Sequence, residues 1–245
     1  FLDFLKLNSA TICCMNLLIL KAEDISNNVA HVTGRQLDHV LDIHNAKKGD
    51  TINVGLLNGP MGIGKILTID NSKMSLALTL DLSPPKPLPL TMILALPRPK
   101  MLRRILQTIS AMGVKELYLV NSNRVEKSYW QSPFLSPKSI EEQLLLGLEQ
   151  AKDTTLPNVH LRKLFKPFVE DELLKIAKDS LALVAHPSTD NRCPVDCDVS
   201  VTLAIGPEGG FIPYEIDLLK KHNFKATHVG ERILRVENAI PAIIS

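Results

Sequence analysis

Val201-Thr202-Leu203-Ala204-Ile205-Gly206-Pro207-Glu208-Gly209-Gly210-Phe211 starts as an apolar, β-favouring run and breaks into a glycine-rich loop. A short run that does not alternate with polar residues predicts a strand buried on both faces, inside a parallel sheet. The arrangement recurs downstream. Ala226-Thr227-His228-Val229 leads into Gly230-Glu231-Arg232-Ile233-Leu234-Arg235-Val236-Glu237-Asn238-Ala239. Ligands of open α/β sheets bind just past the carboxyl ends of the strands. Glycines there let a small molecule reach backbone N–H and C=O groups. Read singly, each glycine implies only a turn or a helix cap. Read as a pair at two strand ends, the loops point to one small-molecule site.

Upstream, strands and helices alternate. Residues 91–96 predict a strand. Residues 100–112 predict a helix, with Met101, Leu102, Ile105, Leu106, Ile109 and Met112 on one face and Gly113 as its stop. Residues 117–120 predict a strand, and Pro137 opens a helix carrying Ile140, Leu144 and Leu148. Strands follow at 181–185, 201–205 and 226–229, with a helix at 213–222 between the last two. This pattern predicts an α/β domain at 90–245, its parallel sheet covered on both faces. Residues 15–83 read differently. Short β-rich runs at 51–57, 64–69 and 74–82 are separated by the turn signals Asn58-Gly59-Pro60 and Asp70-Asn71-Ser72. They predict a small β-barrel. Pro84-Pro85-Lys86-Pro87-Leu88-Pro89 is a stiff linker between the two.

Composition narrows the function classes. A chain of 245 residues with 45% hydrophobics supplies cores for two domains. No apolar run approaches the roughly 18 residues of a membrane span. Residues 1–14 are apolar, with only Asp3 and Lys6 charged, and precede Met15. They lack the basic start and cleavage site of a signal peptide. They read as an extension, an upstream translation artefact or the remnant of a transit segment. Cys13 and Cys14 fall in that extension, Cys193 and Cys197 in an expected loop, and no zinc spacing appears. His31, His39 and His44 lack carboxylate or thiol partners at ligand spacing, so no metal is expected. A reduced, cytoplasmic protein follows. The net charge is only +2, but residues 89–130 hold seven basic and two acidic side chains, a local net of +5. A concentrated basic patch is a better footprint for phosphate than global charge.

The paired loops resemble those of the knotted SPOUT methyltransferases, and more narrowly the ribosomal RNA small-subunit methyltransferase E family. The resemblance extends through Ala95-Leu96-Pro97-Arg98-Pro99-Lys100-Met101-Leu102-Arg103-Arg104, Gly113-Val114-Lys115-Glu116-Leu117 and Arg124-Val125-Glu126-Lys127-Ser128-Tyr129-Trp130. It continues through Gly147-Leu148-Glu149-Gln150-Ala151 and Phe165-Lys166-Pro167-Phe168, in the family's order. The resemblance implies an N-terminal PUA-like RNA-binding barrel and a trefoil knot in about 181–245. It also implies a homodimer, S-adenosylmethionine as cofactor, and methylation of N3 of a uridine in 16S rRNA of the small ribosomal subunit. Three departures stand out. Asn45 replaces an arginine and Asn238 a threonine, and Ser245 ends the chain where relatives carry a longer helix.

The resemblance maps the cofactor to Ala185, His186 and Pro187, to Ile205, Gly206, Pro207, Glu208, Gly209 and Gly210, and to 229–235. Leu203, Ile205, Ile233 and Leu234 would wall the adenine, and Gly206, Gly209 and Gly230 would offer backbone hydrogen bonds. Uracil N3 keeps its proton near neutral pH, so its methylation needs a base or a cation that steadies the uracil anion. Arg235 is the candidate cation and Glu237 the candidate base. An Arg–Glu pair that merely braces the knot implied by the resemblance weighs equally. Glu208 is the second candidate base, against a role bonding N–H groups of its own loop. Arg98, Lys100, Arg103, Arg104, Arg124 and Lys127 are the candidate RNA-phosphate contacts, against plain solvated charge. Tyr129 and Trp130 are candidates for stacking on a base, against a core role for Trp130. His186 reads as structural. Two rival functions remain open: a non-catalytic RNA-binding or ribosome-assembly factor, and a SPOUT enzyme for another RNA.

Overall fold

The computed structural model describes residues 16–44 and 46–245. The extension at 1–14, with Cys13 and Cys14, Met15 and the departure at Asn45 lie outside the described residues. Contacts divide the chain into two units between Pro84 and Pro85, inside the proline-rich stretch.

Among the described residues, the first unit is a mixed sheet with one α-helix and a short 3-10 turn at Ala22–Asp24. Its elements are β1 (Leu18–Leu20), β2 (Ile25–Ser26), β3 (Val29–Val32), α1 (Arg35–His44), β4 (Thr51–Leu56), β5 (Met61–Ile69) and β6 (Met74–Leu82). The strand order is β1-β4-β5-β6-β3-β2, with β1–β4 parallel and every other pairing antiparallel. Gly62, Gly64 and Ile66 are buried while Ile63 and Lys65 face solvent, the period-two pattern of a sheet with one covered face. The β5–β6 turn is set by Asp70. Its Oδ1 accepts the N–H of Ser72 and of Lys73 at 2.8 and 3.0 Å and the Ser72 hydroxyl at 2.6 Å. Those bonds, the Ser72 hydroxyl first, hold its carboxyl below the ordinary value. The sheet's apolar face packs Leu18, Leu20, Val32, Val54, Met74 and Leu76 against Leu37 and Val40 of α1.

The second unit is α/β. Its elements are β7 (Leu90–Ala95), α2 (Pro99–Ala111), β8 (Glu116–Val120), α3 (Pro137–Ala151), β9 (Asn158–Arg162), α4 (Phe165–Pro167), a π-helical stretch (Phe168–Leu173), α5 (Leu174–Ile176), β10 (Leu181–Ala185), β11 (Val201–Ile205), α6 (Pro213–Lys221), β12 (Lys225–Thr227) and α7 (Val236–Ile244). Its sheet is wholly parallel, in the order β12-β10-β11-β7-β8-β9. β11 lies inside it, with Leu203 between Leu183 of β10 and Met92 of β7.

Helix placement follows from the sequence. Leu102, Ile105, Leu106 and Ile109 of α2 are buried as their spacing predicts. Ser136 caps α3 by accepting the Ser139 N–H at 3.3 Å, with Pro137 in the first turn. α3 meets α2 at Gly147, where a Cβ would stand 2.4 Å from the Gln107 carbonyl oxygen. That close approach lets the Ser110 hydroxyl donate to the Leu144 carbonyl at 2.8 Å. Beneath the helices, Lys115 Nζ contacts Asp153 Oδ2 at 2.6 Å and the Thr155 carbonyl at 2.7 Å.

Candidate active site

From β7 the chain runs to β8 and β9 on one side, while β11, β10 and β12 lie on the other. The junction of β7 and β11 is therefore a topological switch point, where loops diverge and leave a crevice. The loop after β11 is shaped by its glycines. A Cβ at Gly206 would lie 2.9 Å from the backbone nitrogen of Phe211, so only glycine lets the chain fold back on itself. The Gly210 N–H closes the turn on the Pro207 carbonyl at 2.7 Å, and Gly210 sits at φ +72°.

A cavity of about 360 Å³ opens on the β10–β12 side of this loop. Its walls are Ala185, His186 and Pro187 after β10, the segment from Ile205 to Phe211 after β11, and Thr227 to Gly230 with Arg232, Ile233 and Leu234 after β12. Val236, Ala239 and Ile243 of α7 complete it. The volume suits a small ligand, for which sites run roughly 300–1,000 Å³. Of the residues expected to hold a cofactor, the structure brings all but Leu203, Glu231 and Arg235 to this wall. Leu203 is 1% exposed and sits one pleat below Ile205, too deep in β11 to reach the loops. It lines a second cavity of about 760 Å³ toward the strand starts, with Leu183, Cys193, Cys197 and Val201. That cavity is larger, but it lacks the glycine turn that folds the loop after β11. Ile233, 85% exposed, and Leu234, 37% exposed, leave apolar surface at the cavity rim.

Arg235 is exposed and forms the N-cap of α7, with Glu237 half-buried in the first turn. Neither lines the cavity wall, and no ion pair joins them among the described residues. The bracing pair weighed from the sequence is thus not formed. Asn238 stays in the helix, its N–H on the Arg235 carbonyl at 2.9 Å.

Glu208 was expected to bond its own loop. Instead its Oε1 accepts the backbone N–H of Arg98 at 3.2 Å and lies 3.9 Å from Arg98 Nε, spanning the switch point. Arg124 Nη1 donates to the Gly209 carbonyl, and its side chain passes 3.0 Å from where a Cβ at Gly209 would stand. Two of the six basic residues thus hold the glycine loop. Lys100, Arg103, Arg104 and Lys127 are exposed, with the Arg103 guanidinium 5.3 Å over the Phe134 ring. Trp130 is half-buried against the core, its Nε1 donating to Asn121 Oδ1 at 2.9 Å, and the Tyr129 hydroxyl donates to Glu126 at 3.1 Å. His186 donates its backbone N–H to the Thr227 carbonyl at 2.9 Å. Burial, and then the charge of Lys220, push its imidazole below the ordinary value and favour the neutral ring.

Sequence reasoning missed Glu215. It is 3% exposed, with Oε1 accepting the Asn123 N–H at 2.7 Å and Oε2 the Ile212 N–H at 2.9 Å. The signal was present: Glu at the third residue of a helix that opens with Pro213 is capping-box spacing. Among the described residues no cluster of three metal-ligating side chains exists, and no helix is long and apolar enough to cross a membrane.

Residues 84–245 match a family model described as an RNA methyltransferase domain. Ribosomal RNA small subunit methyltransferase E of Treponema pallidum is 25% identical over 241 residues, spanning 92% of this chain and 87% of that protein. Ribosomal RNA small subunit methyltransferase E 1 of Borreliella burgdorferi is 23% identical over 229 residues, spanning 92% and 94%. A Ribosomal RNA small subunit methyltransferase E from Neisseria gonorrhoeae, solved bound to S-adenosyl methionine, matches with a TM-score of 0.72 at 18% identity, covering 93% of this chain and 95% of that one.

Proposed function

The chain belongs to the RNA methyltransferase domain family, and from that premise we propose that it methylates N3 of a uridine in 16S rRNA of the small ribosomal subunit, with S-adenosylmethionine as donor. The observation that carries this reading is the convergence of three strand-end loops, after β10, β11 and β12, on one small-molecule cavity. The names of its relatives support the ribosomal substrate, and the cofactor bound to the Neisseria protein supports the donor.

The residues present fit that cofactor. Gly206, Gly209, Gly210 and Gly230 line the cavity with backbone rather than side chains, while Ile205, Ile233 and Leu234 offer apolar surface for an adenine ring. Bound there, S-adenosylmethionine supplies an electrophilic methyl group. In this reading Glu237 takes the proton from N3 of uracil, and Arg235 steadies the negative charge that spreads onto the carbonyl oxygens. With its proton on Glu237, N3 would be the nucleophile to which the bound donor could give its methyl group. Lys100, Arg103, Arg104 and Lys127, together with Arg98 and Arg124, hold RNA phosphates. The neutral ring of His186 adds no positive charge to a cavity that takes a cationic donor. We read the first unit as a PUA-like RNA-binding domain, 181–245 as a trefoil knot, and the working form as a cytoplasmic homodimer.

The test is incubation with labelled S-adenosylmethionine and small ribosomal subunits lacking the modification, followed by mass spectrometry of the digested RNA. Label in N3-methyluridine of 16S rRNA is the expected result. Cofactor binding without any transfer would sink the reading.

A further inference from the structure

We infer that Arg124 is a positioning residue that couples RNA to the cofactor: one guanidinium holds the Gly209 carbonyl and offers its outward N–H groups to an RNA phosphate. The inference rests on the reading of the glycine loop as the cofactor site and of the basic patch as the RNA face.

The segment bearing Arg124 is tied down. The buried carboxylate of Glu215 accepts the Asn123 N–H at 2.7 Å, Trp130 Nε1 donates to Asn121 at 2.9 Å, and the Val125 N–H reaches the Ser122 carbonyl at 3.1 Å. From that fixed base, the Arg124 side chain crosses the face of Gly209 and bonds its carbonyl. Gly209 itself lines the ligand cavity. The chain of contacts from α6 through Arg124 to Gly209 on the cavity wall is continuous, and the link before the wall is an exposed cation.

A guanidinium carries five N–H donors in a planar fork. The contact with Gly209 uses Nη1, and the residue is solvent-exposed, so its outer edge faces water. A phosphate at that edge fixes the side chain without displacing the Gly209 carbonyl. The loop order a cofactor needs is then partly in place, and the second ligand loses less conformational freedom on binding. The coupling is reciprocal: whatever factor RNA adds to cofactor affinity, the cofactor adds to RNA affinity. A lysine keeps the charge but is a point donor on a flexible stem. It cannot hold the carbonyl with one edge and a phosphate with the other.

Calorimetry of S-adenosylmethionine binding, with and without a saturating 16S rRNA transcript, tests this on wild type and Arg124→Lys. RNA is expected to tighten cofactor binding about 5-fold or more in wild type, a typical coupling between sites. In Arg124→Lys the ratio falls to about one, measured at transcript concentrations raised until the variant is saturated with RNA and with its fold checked by circular dichroism. A purely structural role shifts both cofactor affinities together and leaves the ratio intact. Wild-type cofactor affinity indifferent to RNA, or a ratio fully kept in Arg124→Lys, overturns the inference and leaves the proposed function standing. Absence of cofactor binding to the free wild-type protein overturns both.

Discussion

The carboxylate of Glu215, buried in the first turn of α6, accepts the backbone N–H of Asn123 at 2.7 Å across a sequence separation of 92 residues. Its second oxygen accepts the Ile212 N–H at 2.9 Å, so one side chain caps a helix and pins the loop after β8. Glu215→Ala leaves two N–H groups without their acceptor. Hydrogen bonds to a charged group are worth about 1.5–3 kcal/mol each, and less here, because Asn123 is exposed and Ile212 half-buried, so water reaches the freed donors. The variant should unfold at lower urea concentration and bind the cofactor more weakly, because Arg124 loses its fixed base. Equal urea midpoints for variant and wild type would contradict the role assigned to this carboxylate.

Lys115 and Asp153 form a charge pair whose side chains are 11% and 6% exposed. Removing one partner strands the other charge away from water. Asp153→Ala should destabilise the fold by roughly 3–5 kcal/mol, whereas the apolar pair Lys115→Met with Asp153→Leu should recover most of that loss. Urea unfolding of the single and double variants checks both halves. A single variant as stable as wild type defeats the argument.

Gly206 tests the shape of the loop. A methyl group there meets the Phe211 backbone nitrogen at 2.9 Å, and a backbone atom cannot rotate away. Gly206→Ala should open the Gly206–Phe211 turn and abolish measurable cofactor binding with little loss of helix signal in circular dichroism. Unchanged cofactor affinity would show that the ligand does not use this turn.

The proposed roles of Arg235 and Glu237 separate by kinetics. Arg235→Ala removes the charge that faces the developing uracil anion, and kcat should fall about 10²–10³-fold. Glu237→Gln should cost roughly 10²–10⁴-fold and remove the acid limb of the pH–rate profile. Variants that keep wild-type kcat remove Arg235 from the chemistry and leave Glu237 as a negative charge favouring the first turn of α7.

How far the sequence carried is visible in these residues. The strands at 181–185 and 201–205 were legible because parallel strands buried on both faces are unbroken apolar runs. The helix at α2 was legible from its apolar face. β9 was not, because this edge strand reads Asn158-Val159-His160-Leu161-Arg162 and its polar side chains find partners only in three dimensions. His160 stacks on Tyr118 at 4.5 Å, and Arg162 Nε bonds both oxygens of Glu172 at 2.8 Å. β1 to β3, with two to four residues each, are too short for any periodicity to register, and α1 was hidden beside them. At the site, spacing found the loops, but not which cations hold them. Arg98 and Arg124 read as phosphate contacts in sequence, and only the fold brings them 110 and 85 residues away to Glu208 and Gly209.

His186 gives a prediction in pH. Burial, and then the positive charge of Lys220, hold its pKa below the ordinary 6.5. The native state therefore binds fewer protons than the unfolded chain in the window below that value, and stability there must rise with pH. The penalty is absent above the ordinary histidine value, grows as pH falls through it, and is complete once the lowered folded-state value is passed. Between about pH 7.5 and about pH 5 the wild-type melting temperature should fall further than that of His186→Asn, which has no proton to bind. Titration of other groups is common to both proteins and cancels in the comparison. Equal drops would mean that the ring is not desolvated, and that the cavity wall beside Pro187 is open to water.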